Sequence, residues 1–378
     1  MTAEKKAPER LAPLDALRGL AALAVAIFSH YQHFGGDKKT YPYNDIRVFN
    51  WLYENSWLFV DFFFLLSGIV LTLRYYEPLS NKKVGGMEFF LLRTSRLYPL
   101  HFATLMWCAI IEWYLLANGK PQVIYQHNDL YHFILNLFYL HWGWFEEGLS
   151  YNAPSWSVCA EVFVYILFYA FLLKPKRYVL SSVIAIFVGL AVLKTNFAFP
   201  LFNENIARAL VGFFLGSIMF LGIRKVDAAG YGRGLTYATT TSLVIGCALT
   251  YVIGYAQWIG RMPLHHLIGL FPLVIVVSLR VRWLAAILSW RPLTFLGDIS
   301  YSVYMVHVPL QMLFLSVCAA KQIPIITTDH TLIFEYTAVV VVVATLTHYG
   351  IELPARRWFR DRLIAKVRAT AAAAPVPT

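Results

Sequence analysis

Four side chains are placed to do proton chemistry from within apolar stretches: His30, Asp61, Glu161 and His307. A charge or a titratable ring is costly in hydrocarbon, so such groups face protein or water and commonly serve a function. His30 lies twelve residues beyond Arg18 in the run that begins at Leu14. On a helix that is about 18 Å, past the midplane of a bilayer. His307, eleven residues from Leu296, reaches a similar depth. Glu161 and Asp61 each sit about four residues inside the matching ends of their own runs. An imidazole among these groups acts as a general base on a hydroxyl, or carries a transferred group itself. Glu161 or Asp61 would fix its tautomer. Tyr301, Tyr304 or Ser157 would donate to a developing negative oxygen.

A second set is cationic. Arg93 and Arg96 are three residues apart on one helix face, beside Tyr98-Pro99. Paired guanidinium forks suit phosphate. Arg74 precedes them, and Lys82 and Lys83 between read as ordinary loop charge. Arg18 binds phosphate or orients a carbonyl. A phosphate-bearing carrier with a group to transfer points to an acyl coenzyme A.

These residues need helices to hold them. Of 378 residues, 58% are hydrophobic and 14% charged, and mean hydropathy is +0.56. That is too much apolar surface for a soluble chain. The expected fold class is all-α: a polytopic membrane protein of about ten transmembrane helices. The spans fall near Leu14–Phe34, Trp57–Tyr75, Leu97–Leu116, Ser157–Leu173, Tyr178–Leu193, Ile206–Leu221, Thr236–Ile253, Leu264–Leu279, Leu296–Val317 and Leu332–Ile351. Of the 32 basic residues, 24 fall on one side, which puts both termini in the cytoplasm. This distribution also explains the net charge of +11 without a nucleic-acid partner. Leu130 to Trp144 is too short to cross and reads as an interfacial or re-entrant helix. Residues 1–354 form the membrane domain. Residues 355–378 are a basic amphipathic segment and a disordered tail. Cys108, Cys159, Cys247 and Cys318 lack metal-like spacing, so no metal is expected.

Five stretches together resemble the integral-membrane acyltransferase-3 family. They are Leu14–Ala22 with His30, Val60–Gly68, Arg93–Pro99, Pro154–Phe163, and Leu296–Pro309 with Glu352-Leu353-Pro354 near the end. The resemblance implies ten membrane helices and transfer of acyl groups, most often acetyl from acetyl-CoA, to sugar hydroxyls. The implied acceptor is a saccharide or glycolipid such as an exopolysaccharide or lipopolysaccharide, or a small glycoside or macrolide. The implied location is a bacterial cytoplasmic (inner) membrane. Some members carry a further hydrolase-like domain. Without one, transfer is expected to be direct or to use a separate protein. A transporter or flippase is the rival reading, opposed by the lack of internal repeats and by the Arg93/Arg96 pair.

One spacing departs from the family's. Its pattern places ten residues between the first arginine and the histidine, and here eleven intervene. Eleven steps of a regular helix return within about 20° of the starting face, but twelve turn about 120°. A local bulge absorbs the extra residue, or Arg18 precedes the regular helix, or His33 takes the place of His30. His33 abuts Gly35-Gly36 and so is expected to reach the outer loop, which favours His30. Glu352 is expected to pair with the Arg93 region or Arg291.

Overall fold

Long apolar stretches with no water around them must satisfy every backbone group internally, which makes helix the only economical form here. The computed structural model describes residues 11–141, 145–195, 202–253 and 266–368, with 248–253 in backbone only. Every regular element among them is helical. The helices are α1 (Ala12–Ala24), α2 (Arg47–Asn55), α3 (Phe59–Ser80), α4 (Gly86–Ala117), α5 (Leu130–Leu137), α6 (Trp156–Leu172), α7 (Tyr178–Thr195) and α8 (Glu204–Ala228). They continue with α9 (Gly232–Ile253), α10 (Phe271–Arg280), α11 (Arg282–Leu288), α12 (Arg291–Asp298), α13 (Ser300–Lys321), α14 (His330–Thr347) and α15 (Leu353–Phe359).

Eight helical stretches among the described residues are long and apolar enough to cross a membrane. A ninth is added if α10 and α11, which meet at a bend of 94°, form one span. The chain is thus an all-α polytopic membrane protein. The difference from ten lies in two places. The seventh expected span falls on α9, whose last side chains lie outside the described residues. The eighth was expected from Leu264, and residues 254–265 also lie outside. The short segment at Leu130 does not cross: α5 is eight residues long, about 12 Å, and Asp129 caps it by accepting from the His132 N–H at 2.8 Å. Residues 142–144 of that segment, the first ten residues and the expected disordered tail from 369 are outside the described residues.

The chain divides into two compact units. The first contains residues up to Ala21, Leu58–Ser80 and Val164–Asp298. Its helices approach through glycines. A Cβ on Gly68 would lie 1.9 Å from the Phe213 carbonyl oxygen, and one on Gly216 would lie 2.1 Å from that of Leu65. Gly212 and Gly216 are four apart, the small-residue spacing that lets membrane helices touch backbone to backbone. The same device joins α1 to α12: a Cβ on Gly19 would meet the Leu296 carbonyl carbon at 2.5 Å, and one on Gly297 the Asp15 oxygen at 2.1 Å. Leu14, Ala21, Phe62, Leu65, Ile69, Phe271 and Ile275 fill one core beside these crossings. Several buried polar groups in this unit pair with one another. Asp61 accepts from Arg208 Nε at 2.7 Å, Thr72 donates to Ser217 at 2.7 Å, and Tyr178 bonds the same Ser217.

The second unit contains Ala22–Trp57, Asn81–Phe163 and the chain from Ile299. Beyond Ala24 the first span widens into a π-helical turn, Val25–Ser29, and then tightens into a 3₁₀ turn, Tyr31–Phe34. A π turn holds one residue more than an α turn. The bulge is therefore the option present, and it lies between Arg18 and His30. On α13, Pro309 has no N–H to give the Met305 carbonyl. The Asn152 amide fills that gap, donating to Met305 O at 2.9 Å and to Thr104 Oγ1 at 3.0 Å. The last helix continues through two further π turns, His348–Glu352 and Arg360–Ile364, and is helical to Arg368. Arg368 grips the buried Glu88 carboxylate near the start of α4, at 2.8 Å from Nε and 2.6 Å from Nη2.

The glycine crossing gives a direct test. Gly216→Ala should cost about 1–3 kcal/mol by forcing α3 and α8 apart. Gly222→Ala on the same helix, where a Cβ meets nothing within 4 Å, should be neutral or slightly stabilising. Melting temperatures of the detergent-solubilised variants, compared with the parent, check both.

Candidate functional site

Tyr301, Tyr304, His307 and Gln311 recur at three- and four-residue spacing, so they line one face of α13. That face is polar over about 15 Å, and each side chain on it contacts a residue singled out by the sequence or lying beside one. At one end, the Tyr301 hydroxyl donates to the Leu97 carbonyl at 2.6 Å. Arg96, Glu161 and Glu352 lie within electrostatic reach of Tyr301. One turn on, the Tyr304 hydroxyl donates to the Pro154 carbonyl at 2.9 Å and meets Ser157 Oγ at 2.9 Å. Another turn on, the His307 ring packs edge-on against His30, with centroids 4.7 Å apart. Gln311 closes the row on His33 and on the His30 backbone.

The histidine end has a definite proton arrangement. His30 Nδ1 is 3.1 Å from the Val25 carbonyl oxygen. A carbonyl only accepts, so Nδ1 carries the hydrogen, and in the neutral ring Nε2 keeps its lone pair. Among the described residues nothing bonds Nε2. Gln311 Nε2 donates to the His30 carbonyl at 3.0 Å, which turns its Oε1 towards His33 Nδ1, also at 3.0 Å. Oε1 only accepts, so His33 likewise carries its hydrogen on Nδ1. His33 is half-buried in this group, 5.2 Å from the His30 ring, and does not run out into the loop as expected. The 3₁₀ turn explains this, since it folds Tyr31–Phe34 back towards α13. His307 is fully buried, and neither ring nitrogen has a hydrogen-bond partner among the described residues.

The loop above α4 adds a ring column. Tyr139 stacks on His101 at 4.4 Å, and His101 is parallel to His141 at 5.7 Å. Burial pushes His141 down to about 3, so the ring is neutral when it meets Ser155 Oγ at 2.7 Å. Tyr125, in contact with His33 at 5.7 Å, has its phenol pushed up by burial and by its Cys108 and Tyr304 neighbours, and stays protonated.

The expected site residues separate. His30 keeps its place, but a backbone carbonyl holds its ring where a carboxylate was expected. Glu161 lies towards the Arg96 end of the α13 face, near Tyr301. Asp61 is in the first unit and is taken up by Arg208, an ion pair that the sequence reading missed. Tyr301 spends its one hydrogen on Leu97, which leaves none for a substrate oxygen in this arrangement. Arg93 is buried in α4 and Arg96 half-buried one turn on. Arg18 and Arg74 belong to the first unit. Arg18 donates to the Gly297 carbonyl at 2.8 Å and pairs with Asp15 at 3.0 Å, and Arg74 is exposed on α3. Glu352 pairs with neither Arg93 nor Arg291: it accepts from His348 Nδ1 at 2.9 Å and Ser302 at 3.2 Å, with Arg356 at 3.8 Å. Gln311 was missed too, although its four-residue step from His307 was visible. No group of three metal-ligating side chains occurs among the described residues.

Two substitutions test this accounting. Gln311→Leu strands the His30 carbonyl and the His33 N–H and should cost about 1–3 kcal/mol. Arg208→Met leaves Asp61 buried without its guanidinium and should cost about 3–5 kcal/mol, while replacing both partners with apolar residues should recover much of that. Thermal unfolding in detergent reads each.

Comparison with known proteins gives this site its context. The chain is 24% identical over 379 residues to the O-acetyltransferase OatA of Staphylococcus aureus (strain NCTC 8325 / PS 47), covering 93% of this chain and 58% of that protein. It is 24% identical to YrhL of Bacillus subtilis (strain 168), provisionally named a peptidoglycan O-acetyltransferase, over 79% of this chain and 48% of that one. BcsY of Komagataeibacter xylinus, provisionally named a membrane-bound transacylase, is 26% identical over 78% of this chain and 72% of its own length. The chain thus spans little more than half the length of the first of these relatives. No solved structure matches it. The family model described as an acyltransferase domain covers residues 11–349, nearly the whole chain, and the protein belongs to the acyltransferase-3 family.

Proposed function

We propose that this protein is a membrane-bound O-acyltransferase that moves acetyl from cytoplasmic acetyl-CoA to a hydroxyl of an extracytoplasmic saccharide. The observation that carries the reading is the polar face of α13. It joins the neighbourhood of Arg96 to His30 through Tyr301, Tyr304 and His307. A donor with phosphates at one end and a reactive thioester at the other needs such a path through an apolar body. The relatives named for O-acetyl transfer support the acetyl group, and the one named for peptidoglycan supports a saccharide. The bias of basic residues supports a cytoplasmic arginine end and cytoplasmic termini.

In this reading Arg93 and Arg96 hold the donor's phosphates. The pantetheine arm follows α13 and brings the thioester carbonyl to His30. His30 Nε2 takes the proton of the acceptor hydroxyl as its oxygen attacks that carbonyl. The carbon–sulfur bond breaks, and the departing thiolate takes the proton from His30 Nε2. Nδ1 keeps its hydrogen on Val25 throughout, so the ring does not turn between the steps. Glu161, near Tyr301, orders the arginine end, and Asp61 holds the first unit together through Arg208.

His30→Ala should abolish acetyl transfer, a loss of at least about 10²-fold by removal of the base, with folded protein retained in the membrane. Mass spectrometry of envelope glycans from cells carrying parent or variant reads the missing ester. Acetyl-CoA should raise the melting temperature of both proteins. Unchanged glycans in the variant, or no shift of the parent with acetyl-CoA, would refute the reading.

A further inference from the structure

We propose that His307 is a second catalytic residue, the hydrogen-bond donor to the thioester carbonyl oxygen as it becomes negative. This rests on the acyl-transfer reading above and assigns the oxyanion site within it.

The hydrogens free to be donated decide where that site lies. Attack on a thioester carbonyl places negative charge on its oxygen, and a donor already aimed there lowers the barrier. The Tyr304 and Ser157 hydroxyls do not supply one, and the Tyr125 phenol packs against His33 instead. Tyr304 donates to Pro154, and Ser157 lies 3.1 Å from the same carbonyl. His30 has its N–H on Val25, and His33 has its N–H on Gln311. Gln311 has one amide N–H on the His30 carbonyl. His307 differs from the other two rings. A neutral imidazole carries one N–H, and that of His307 has no partner among the described residues although the ring is fully buried. Its ring lies above its own helix's carbonyls at Val303 and Tyr304 without a well-aligned bond to either. Leaving a buried donor unmatched costs about 1–3 kcal/mol, so a group held this way is expected to have a partner at some stage of its work.

Position agrees with that assignment. The His30 and His307 ring centroids are 4.7 Å apart with the planes at 60°. In this scheme a carbonyl carbon attacked by a hydroxyl on His30 Nε2 has its oxygen beside the second ring. The two imidazoles divide the work by the state of their hydrogens: the pinned ring accepts a proton, and the unpinned ring donates a hydrogen bond. His307 gives up no proton in this scheme. Its N–H strengthens its bond as the tetrahedral oxygen forms and relaxes as the carbon–sulfur bond breaks.

The test uses membrane vesicles from cells making the full chain, supplied with radiolabelled acetyl-CoA, with label read in the glycan fraction. His307→Phe keeps the ring's bulk and removes the donor. Its maximal rate should fall about 10²-fold or more, as when an oxyanion donor is lost, with the KM for acetyl-CoA nearly unchanged. His307→Gln keeps an N–H and should recover a measurable part of that rate. The melting temperatures of the purified variants should match the parent. Parental rate in His307→Phe overturns the assignment of His307 alone. Equal losses in both variants with a shared drop in melting temperature also overturn it, in favour of a packing role. No transfer by the parent chain overturns the acyl-transfer reading itself and the inference with it.

Discussion

Polar side chains buried in an apolar bundle must find partners, and the face of α13 is where this protein meets that demand most heavily. Tyr304, His307 and Gln311 are all buried, and Tyr301 is half-buried. Their partners come from every direction within the second unit: Leu97 on α4, Pro154 and Ser157 at the start of α6, and the π and 3₁₀ turns that end the first span. The same helix lacks a backbone hydrogen at Pro309, and Asn152 repairs it from outside. Pinning α13 thus fixes the loop before α6 and the ring of His30 together. A substitution on that face loses a bond and also frees an element.

The first unit solves a different problem with different means. Its helices approach by removing side chains, with Gly68 against Phe213 and Gly216 against Leu65. Van der Waals contact between backbones replaces the hydrophobic drive that lipid does not supply. One polar device there, Asp61 with Arg208, is buried on both sides. Such a pair is worth little compared with well-packed apolar residues, yet breaking half of it is expensive. It therefore specifies which helices meet more than it adds to their stability.

Much of this was legible in the residues. Hydropathy runs gave the helices, and depth along them brought His30 and His307 to one level, where they touch. The extra residue before His30 left a bulge as one of three options, and Val25–Ser29 is that bulge. The glycines of the matching stretches gave no sign of their partners, because a close crossing is a property of two helices. Carboxylates were harder still. Asp61 and Glu161 looked alike by depth, but one is bound by an arginine 147 positions away and the other lies beside Tyr301. Depth along a helix says nothing of azimuth, and azimuth decides the neighbour. Gln311 escaped notice because an uncharged amide raises no alarm in an apolar run, although its spacing from His307 placed it on the same face.

The partner of His30 carries one further implication. A backbone carbonyl orients the ring through a dipole and lends it no countercharge. With His33 held by a neutral amide and Tyr304 by another carbonyl, the resting histidine end contains partial charges only. A membrane voltage does work on net charge, about 2.3 kcal/mol per elementary charge for each 100 mV crossed. It therefore has no purchase on this cluster at rest. While these imidazoles are neutral, a membrane voltage finds no net charge to act on at this end of the helix, and it couples there only through a proton bound to one of the rings.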